Sequence, residues 1–247
     1  MIIRIKNLFF YIIDMTKYYI QRFIEKHEYN KKGKDYVLMF HNVSDNTEEW
    51  DDYECSISFD SFKKMIGLLE QDSYQFCTPD SFLKKSSQKS VLLTFDDAYK
   101  NVYIKVFPFL REKNIPFIVF QSVSFLDDEK YLSEDMIAEM LKYDKFVLGT
   151  HTITHCNLHK SKDYKNEIQE PINIFRKKFG IEPIYFAYPY GAYVTLDLKH
   201  IKYAKKIYKA AFSTCRVSWN MLSFKYIIPR ININESNYED FCRAIKE

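Results

Sequence analysis

Two short apolar runs in this chain each stop at side chains that bind metals. Val91-Leu92-Leu93-Thr94-Phe95 leads into Asp96-Asp97, and Phe146-Val147-Leu148 is followed by His151 and His155, four residues apart. A continuous apolar run of β-forming residues is the pattern of a parallel strand buried on both faces, so each cluster sits at the carboxyl end of such a strand. Imidazoles four apart share one face wherever the backbone turns helically. One carboxylate and two imidazoles make a donor set for a divalent cation. Taken singly, an Asp pair after a strand usually caps a helix, and two histidines in a Thr-rich loop usually bind nothing. Two such clusters at equivalent positions, separated by further helix and strand segments, point to one site.

The rest of the chain repeats the alternation. Residues 36–40 form an apolar strand ending at His41, which places that imidazole where Asp96 and His151 also lie. Ser58 precedes a helix carrying Phe59, Phe62, Met65, Ile66 and Leu69 at helical spacing, and a helix over 99–113 breaks at Pro108. A strand over 116–120, a helix capped by Ser133 and a helix over 163–179 stopped by Gly180 come next. Residues 183–187 give a strand ending at Tyr188-Pro189-Tyr190-Gly191, a turn that offers backbone N–H groups and a tyrosine ring to a substrate. A helix over 196–208, strands over 210–213 and 226–228, and a closing helix from Ser236 complete the chain, with Arg230 just past the last strand. Strands alternating with helices imply parallel pairing through right-handed crossovers. Seven or eight such units predict an α/β fold, a distorted (β/α) barrel of about seven parallel strands, with its site at the strands' carboxyl ends. His41, Asp96, Asp97, His151, His155, Tyr188, Tyr190 and Arg230 all fall there.

Composition excludes several classes. With 47% hydrophobic and 17% aromatic residues the chain is not disordered, and a net charge of +3 without a basic stripe speaks against nucleic acid. Five cysteines without a CxxC pair fit a reducing compartment, so the expected location is the cytoplasm or the inner membrane face. Residues 1–34 read as an N-terminal amphipathic helix and linker ahead of a barrel domain over 35–247. The apolar stretch within residues 2–24 is interrupted by Arg4, Lys6, Asp14, Lys17 and Arg22, whereas a spanning helix needs ~20 mostly apolar residues. No small-residue cleavage site follows it. Packing on the domain, or peripheral membrane contact through residues 2–24, is the expectation.

Thr94-Phe95-Asp96-Asp97, His151-Thr152-Ile153-Thr154-His155 and Tyr188-Pro189-Tyr190-Gly191, in this order, resemble the motifs of the polysaccharide deacetylases of carbohydrate esterase family 4. The likeness covers about residues 36–233 and is nearest to the biofilm-exopolysaccharide type. It implies one divalent metal, zinc by default, held by Asp97, His151 and His155, with Asp96 as catalytic base. It further implies hydrolytic removal of N-acetyl groups from a glycan of the bacterial surface or its precursor. Three departures stand out. Ala98 replaces the usual Gly after the Asp pair. The arginine that normally precedes Pro-Tyr-Gly is absent, Ala187 and Tyr188 standing there, and its role passes to Arg230. The late Leu-x-His that supplies the general acid is missing, and His41 on the first strand fits that function. Tyr190 and Tyr188 are expected at the substrate and oxyanion. The alternatives are a glycan-binding relative without turnover and a small-molecule amidase of the same mechanism.

Overall fold

The computed structural model describes residues 35–46, 53–84, 89–126, 128–192, 195–215 and 225–246. Residues 1–34, with the expected N-terminal helix and linker, lie outside the described residues. Among the described residues no helix is long and apolar enough to cross a membrane.

The strands are β1 (Asp35–Phe40), β2 (Asn42–Val43), β3 (Ser56–Ile57), β4 (Gln75–Phe76), β5 (Ser90–Phe95), β6 (Phe117–Gln121), β7 (Phe146–Thr150), β8 (Tyr185–Ala187), β9 (Ala210–Phe212) and β10 (Ile231–Asn232). Seven of them form one parallel path in the order β10-β1-β5-β6-β7-β8-β9, while β4 pairs with the start of β5 and β2 pairs with β3. The strand expected over 226–228 is reduced to a single bridge, Ile228 with Phe212. That segment nonetheless closes the barrel. Ile228 N–H donates to Ala211 O, Ser213 N–H to Ile228 O and Arg230 N–H to Cys215 O at 2.8–3.0 Å, and the chain then runs into β10 beside β1. The expected distorted barrel of parallel strands is the fold observed.

Side-chain alternation sorts the core. Val91, Leu93 and Phe95 of β5 face the helices, where they meet Phe62, Met65, Ile66 and Leu69 of α1 (Phe59–Gln71). Leu92 instead faces the barrel interior with Val37, Ile118, Phe120, Ala187 and Phe212. The same period carries Thr94 and Asp96 to the interior. The β1–β5 register, running from Asp35 opposite Ser90 to Phe40 opposite Phe95, brings His41 and Asp96 out of the sheet side by side. Asp96 N–H donates to Phe40 O at 2.8 Å.

The helices follow α1 as α2 (Pro79–Leu83), α3 (Phe107–Glu112), α4 (Glu134–Met140), α5 (Tyr164–Phe179), α6 (Leu198–Ile207) and α7 (Tyr238–Lys246). Ser58, Thr78 and Ser133 cap α1, α2 and α4 by accepting a backbone N–H three residues on. The helix expected over 99–113 is split. Val102–Val106 widens into a π turn, and α3 then starts with Pro108 in its first turn, where a missing N–H costs nothing. α5 runs through Pro171, whose ring joins Ile168, Ile172 and Phe175 on the buried face, and stops at Gly180 with φ +67°.

One close approach in the barrel wall is testable. A Cβ on Gly149 would lie 2.4 and 2.6 Å from Phe120 ring carbons, and that ring is packed against Phe212 and beneath Arg230. Gly149→Ala should therefore overpack the interior and destabilise the fold by about 1–3 kcal/mol, read by denaturant unfolding. An unchanged unfolding midpoint would show that Phe120 moves aside freely.

Candidate active site

At the carboxyl end of β5 the backbone leaves the strand through two successive left-handed residues, Asp97 at φ 63° and Ala98 at φ 60°. Left-handed backbone is disfavoured for any residue with a Cβ, by about 1–2 kcal/mol. This is the physical meaning of Ala98 at a position where the family resemblance expects Gly: the turn is kept and its strain accepted. Thr152 (φ 68°), His155 (φ 54°) and Tyr190 (φ 52°) share the feature. Five of the seven positive-φ non-glycine residues among the described ones thus lie in the loops around one cleft, as expected where structure is held for function.

The turn aims Asp97 at both histidines. Asp97 Oδ1 lies 3.0 Å from His155 Nε2 and 3.5 Å from His151 Nε2, yet it accepts no hydrogen bond of proper geometry. His151 is almost fully buried, and its Nδ1 lies 2.8 Å from Ala187 O. A carbonyl only accepts, so Nδ1 carries the proton and Nε2 presents a lone pair toward Asp97. Burial pushes the His151 imidazole down to about 4, which keeps it neutral near pH 7. Burial pushes Asp97 the other way, but the neighbouring His155, His41 and His151 outweigh it and hold the carboxyl below the usual carboxylate range. An ionised carboxylate, the free Nε2 of His151 and the imidazole of His155, with one ligand atom from each within 4.8 Å of the others, fit a divalent cation.

Asp96 is 1% exposed and is treated differently by the fold. Arg230, fully buried, grips it with both ends of the guanidinium: Nη1 to Oδ1 and Nη2 to Oδ2, each at 2.6 Å. The remaining donors of Arg230 are directed as well. Nε donates to Ser213 O at 2.9 Å, Nη1 also reaches Thr94 Oγ1 at 3.1 Å, and the guanidinium carbon stands 5.5 Å from the Phe120 ring centre. Burial raises the Asp96 carboxyl, but the Arg230 charge and hydrogen bonds, with His151 and His41, hold it below the ordinary range. Asp96 Oδ2 is 3.9 Å from His151 Nε2, so the two carboxylates flank the same imidazole.

His41 stands beside this pair, close enough for its charge to lower both Asp96 and Asp97, and its Nδ1 is buried without a partner. Gln121 Oε1 and Thr152 Oγ1, at the ends of β6 and β7, are likewise buried and unpaired. Tyr190 is 57% exposed with its ring centre 5.1 Å from that of His155. Tyr188 departs from expectation: its side chain is fully buried against Phe186 and its hydroxyl donates to Tyr226 O. It supports the turn from below and offers the cleft no side-chain group. Gly191 keeps that turn tight, since a Cβ there would lie 2.7 Å from Tyr188 O.

Sequence reasoning missed two groups. Thr94 was read only as part of a motif, whereas its hydroxyl donates to Leu38 O at 2.9 Å and stands behind Arg230. Phe125, Tyr131 and Tyr99 build an aromatic wall beside His155. Phe125 and Tyr131 stack at 4.2 Å, and Phe125 lies 5.4 Å from the His155 ring. Nothing in their spacing marked them, because three loop aromatics in a chain rich in Tyr and Phe carry no period.

Comparison with known proteins bears on the family and the fold. YxkH, a candidate polysaccharide deacetylase of Bacillus subtilis (strain 168), is 25% identical over 177 residues, which cover 68% of this chain. The matched region spans 61% of that relative's length. The fold is similar to IcaB from Ammonifex degensii, with a TM-score of 0.75 at 20% identity over 88% of this chain and 99% of IcaB. It is also similar to the deacetylase PplD of Streptococcus pyogenes, determined in complex with acetate, with a TM-score of 0.73 at 19% identity over 86% of this chain and 98% of PplD. The sequence profile described as polysaccharide deacetylase matches residues 83–208, just over half of the 247 residues and the whole stretch from β5 to the end of α6. On that match the chain belongs to the polysaccharide deacetylase family.

Proposed function

We propose that this chain is a metal-dependent hydrolase that removes N-acetyl groups from the amino sugars of a bacterial surface polysaccharide or its precursor. The observation that carries the proposal is the division of labour between two adjacent carboxylates. Asp97 turns an unpaired Oδ1 toward two imidazole Nε2 atoms, while the adjacent Asp96 is clamped by Arg230. Adjacent carboxylates in contrasting environments are how one site provides both a ligand and a base.

An amide is a weak electrophile with a poor leaving group, so its hydrolysis needs an activated water, a stabilised oxyanion and a proton for the departing amine. A divalent cation held by Asp97, His151 and His155, zinc by default, would supply Lewis acidity toward water and carbonyl. The remaining roles belong to the chain. Asp96, kept ionised by Arg230, takes the proton of the attacking water. His41, across the sheet register from Asp96, gives a proton to the sugar nitrogen as the C–N bond breaks. The backbone N–H at the Tyr188–Gly191 turn faces the developing oxyanion, and the exposed Tyr190 ring covers one side of the sugar. The aromatic wall of Phe125 and Tyr131 covers the other. His41 and Arg230 thereby take over the acid and the arginine absent from their usual motif positions.

The test is acetate release from N-acetylglucosamine oligomers. Zinc-loaded protein should release it, chelator-treated protein should not, and zinc should restore the activity. A chain that binds zinc one-to-one and releases no acetate from any N-acetylated oligomer would refute the hydrolase reading and leave glycan binding without turnover.

A further inference from the structure

The turn that carries His155 is held by contacts on both sides, and one of them comes from a residue with no assigned role. On the β6 side, the carbonyls of the turn are taken up in sequence: Ser122 Oγ donates to His151 O at 2.5 Å, Val123 N–H to Thr152 O at 3.2 Å and Ser124 N–H to Ile153 O at 2.8 Å. On the opposite side the N–H groups of the turn converge on a single carboxylate. Glu167, in the first turn of α5, accepts Ile153 N–H at 2.9 Å and Thr154 N–H at 3.0 Å on Oε2, and the Thr154 hydroxyl at 2.9 Å on Oε1. Both backbone donors lie between Thr152 and His155, the two residues of the turn with positive φ.

We infer that Glu167 is a positioning residue that locks the His151–His155 turn and so sets the place of His155 on the cation; the inference rests on the metal-centre reading above. The physical argument has three parts. Left-handed backbone at Thr152 and His155 is not self-sustaining in residues with a Cβ, so something outside the turn must hold it. His155 itself is only part-buried and has no hydrogen bond to a fixed backbone group of the kind His151 makes with Ala187 O, so apart from the flanking Phe125 and Tyr190 rings its place depends on its own backbone. Ionised carboxylates bind successive N–H groups more strongly than neutral acceptors do, and Glu167 in an N-terminal helical turn is further favoured by the helix dipole. His151 should stay fixed without Glu167, and His155 should not.

The experiment is zinc affinity of the full chain by competition with a chromophoric chelator, together with the visible spectrum of the cobalt-substituted protein. Glu167→Ala should weaken zinc binding by roughly 10–100-fold, the usual scale for a residue that orients a ligand. It should also alter the cobalt absorption, because one imidazole is no longer fixed. Glu167→Gln keeps one oxygen acceptor and should recover part of the affinity, and Thr154→Val, which removes only the Oε1 bond, should weaken zinc by a smaller factor. The mildness of Thr154→Val keeps the test usable should Glu167→Ala fold poorly. Wild-type affinity and an unchanged cobalt spectrum in folded Glu167→Ala would overturn the inference. So would equal losses in Glu167→Ala and Glu167→Gln with an unchanged cobalt spectrum, which is what a purely structural role gives. Failure of the wild-type chain itself to bind zinc would instead remove the metal-centre reading, and the role of Glu167 with it.

Discussion

Asp96→Asn should lower acetate release by roughly 10²–10⁴-fold, the scale of one general base, while zinc uptake stays at one ion per chain. The side chain keeps its shape and its oxygen toward Arg230, but an amide cannot take a proton from water. Zinc should stay because Asp97, not Asp96, faces the two imidazoles. His155→Ala gives the opposite pair of results, with both zinc and activity lost. If Asp96→Asn lost zinc as well, the two carboxylates would have to exchange roles; if it kept full activity, the base would lie elsewhere.

The second large effect belongs to Arg230. Arg230→Met leaves Asp96 as a buried charge without the guanidinium that pairs it, and breaking a buried pair from one side costs about 3–5 kcal/mol. Denaturant unfolding at neutral pH measures it, and a loss below about 1 kcal/mol would mean the pair is well solvated. In the wild type the folded Asp96 carboxyl lies below its ordinary 3.8, so the unfolded chain takes up a proton first. The stability due to the pair is therefore full above 3.8 and falls away at lower pH. Without Arg230, burial is opposed only by His151 and His41, so the carboxyl rises and both stability and the acid limb of the activity profile should move to higher pH. Arg230→Lys keeps a charge but loses the two-pronged grip, and should recover only part of either quantity. Removing both partners, as in Asp96→Leu with Arg230→Met, should restore much of the stability and none of the activity.

The fold was legible because strands buried on both faces need near-continuous apolar runs, and β1, β5, β6 and β7 have them. The clustering of Asp97, His151 and His155 was legible because short spacing within a motif survives folding: Asp97 follows its strand directly, and His151 and His155 are four apart. What lay hidden depended on distance in sequence or on a side chain's choice between two faces. Tyr188 and Tyr190 sit two apart in one turn, and only the left-handed backbone at Tyr190 decides that one ring points out while the other is buried. Arg230 could be placed past a strand end, but its grip on Asp96 spans 134 positions, and no local pattern encodes that. Glu167 carries no sequence signal beyond that of an acidic residue in a first helical turn, because its partners are mainly backbone N–H groups, which have no residue identity. The segment over 226–228 has the composition of a strand, yet it forms one bridge: Ile228 hydrogen-bonds to Ala211 and Ser213 at β9, and the pairing with β1 is made only further on, by β10.

That seam bears on the order in which the protein comes into being. A ribosome delivers Asp96, Asp97, His151 and His155 well before Arg230, so the carboxylate that must stay ionised waits for a partner from the last stretch to be made. Contacts so remote in sequence form late, because a long loop must close first. Until the 225–230 segment docks beside β9, a nascent chain can gather Asp97, His151 and His155 but lacks the guanidinium that pairs its buried acid. Hydrolytic competence should therefore appear abruptly, at the same moment as barrel closure, and not grow by degrees as the motifs emerge.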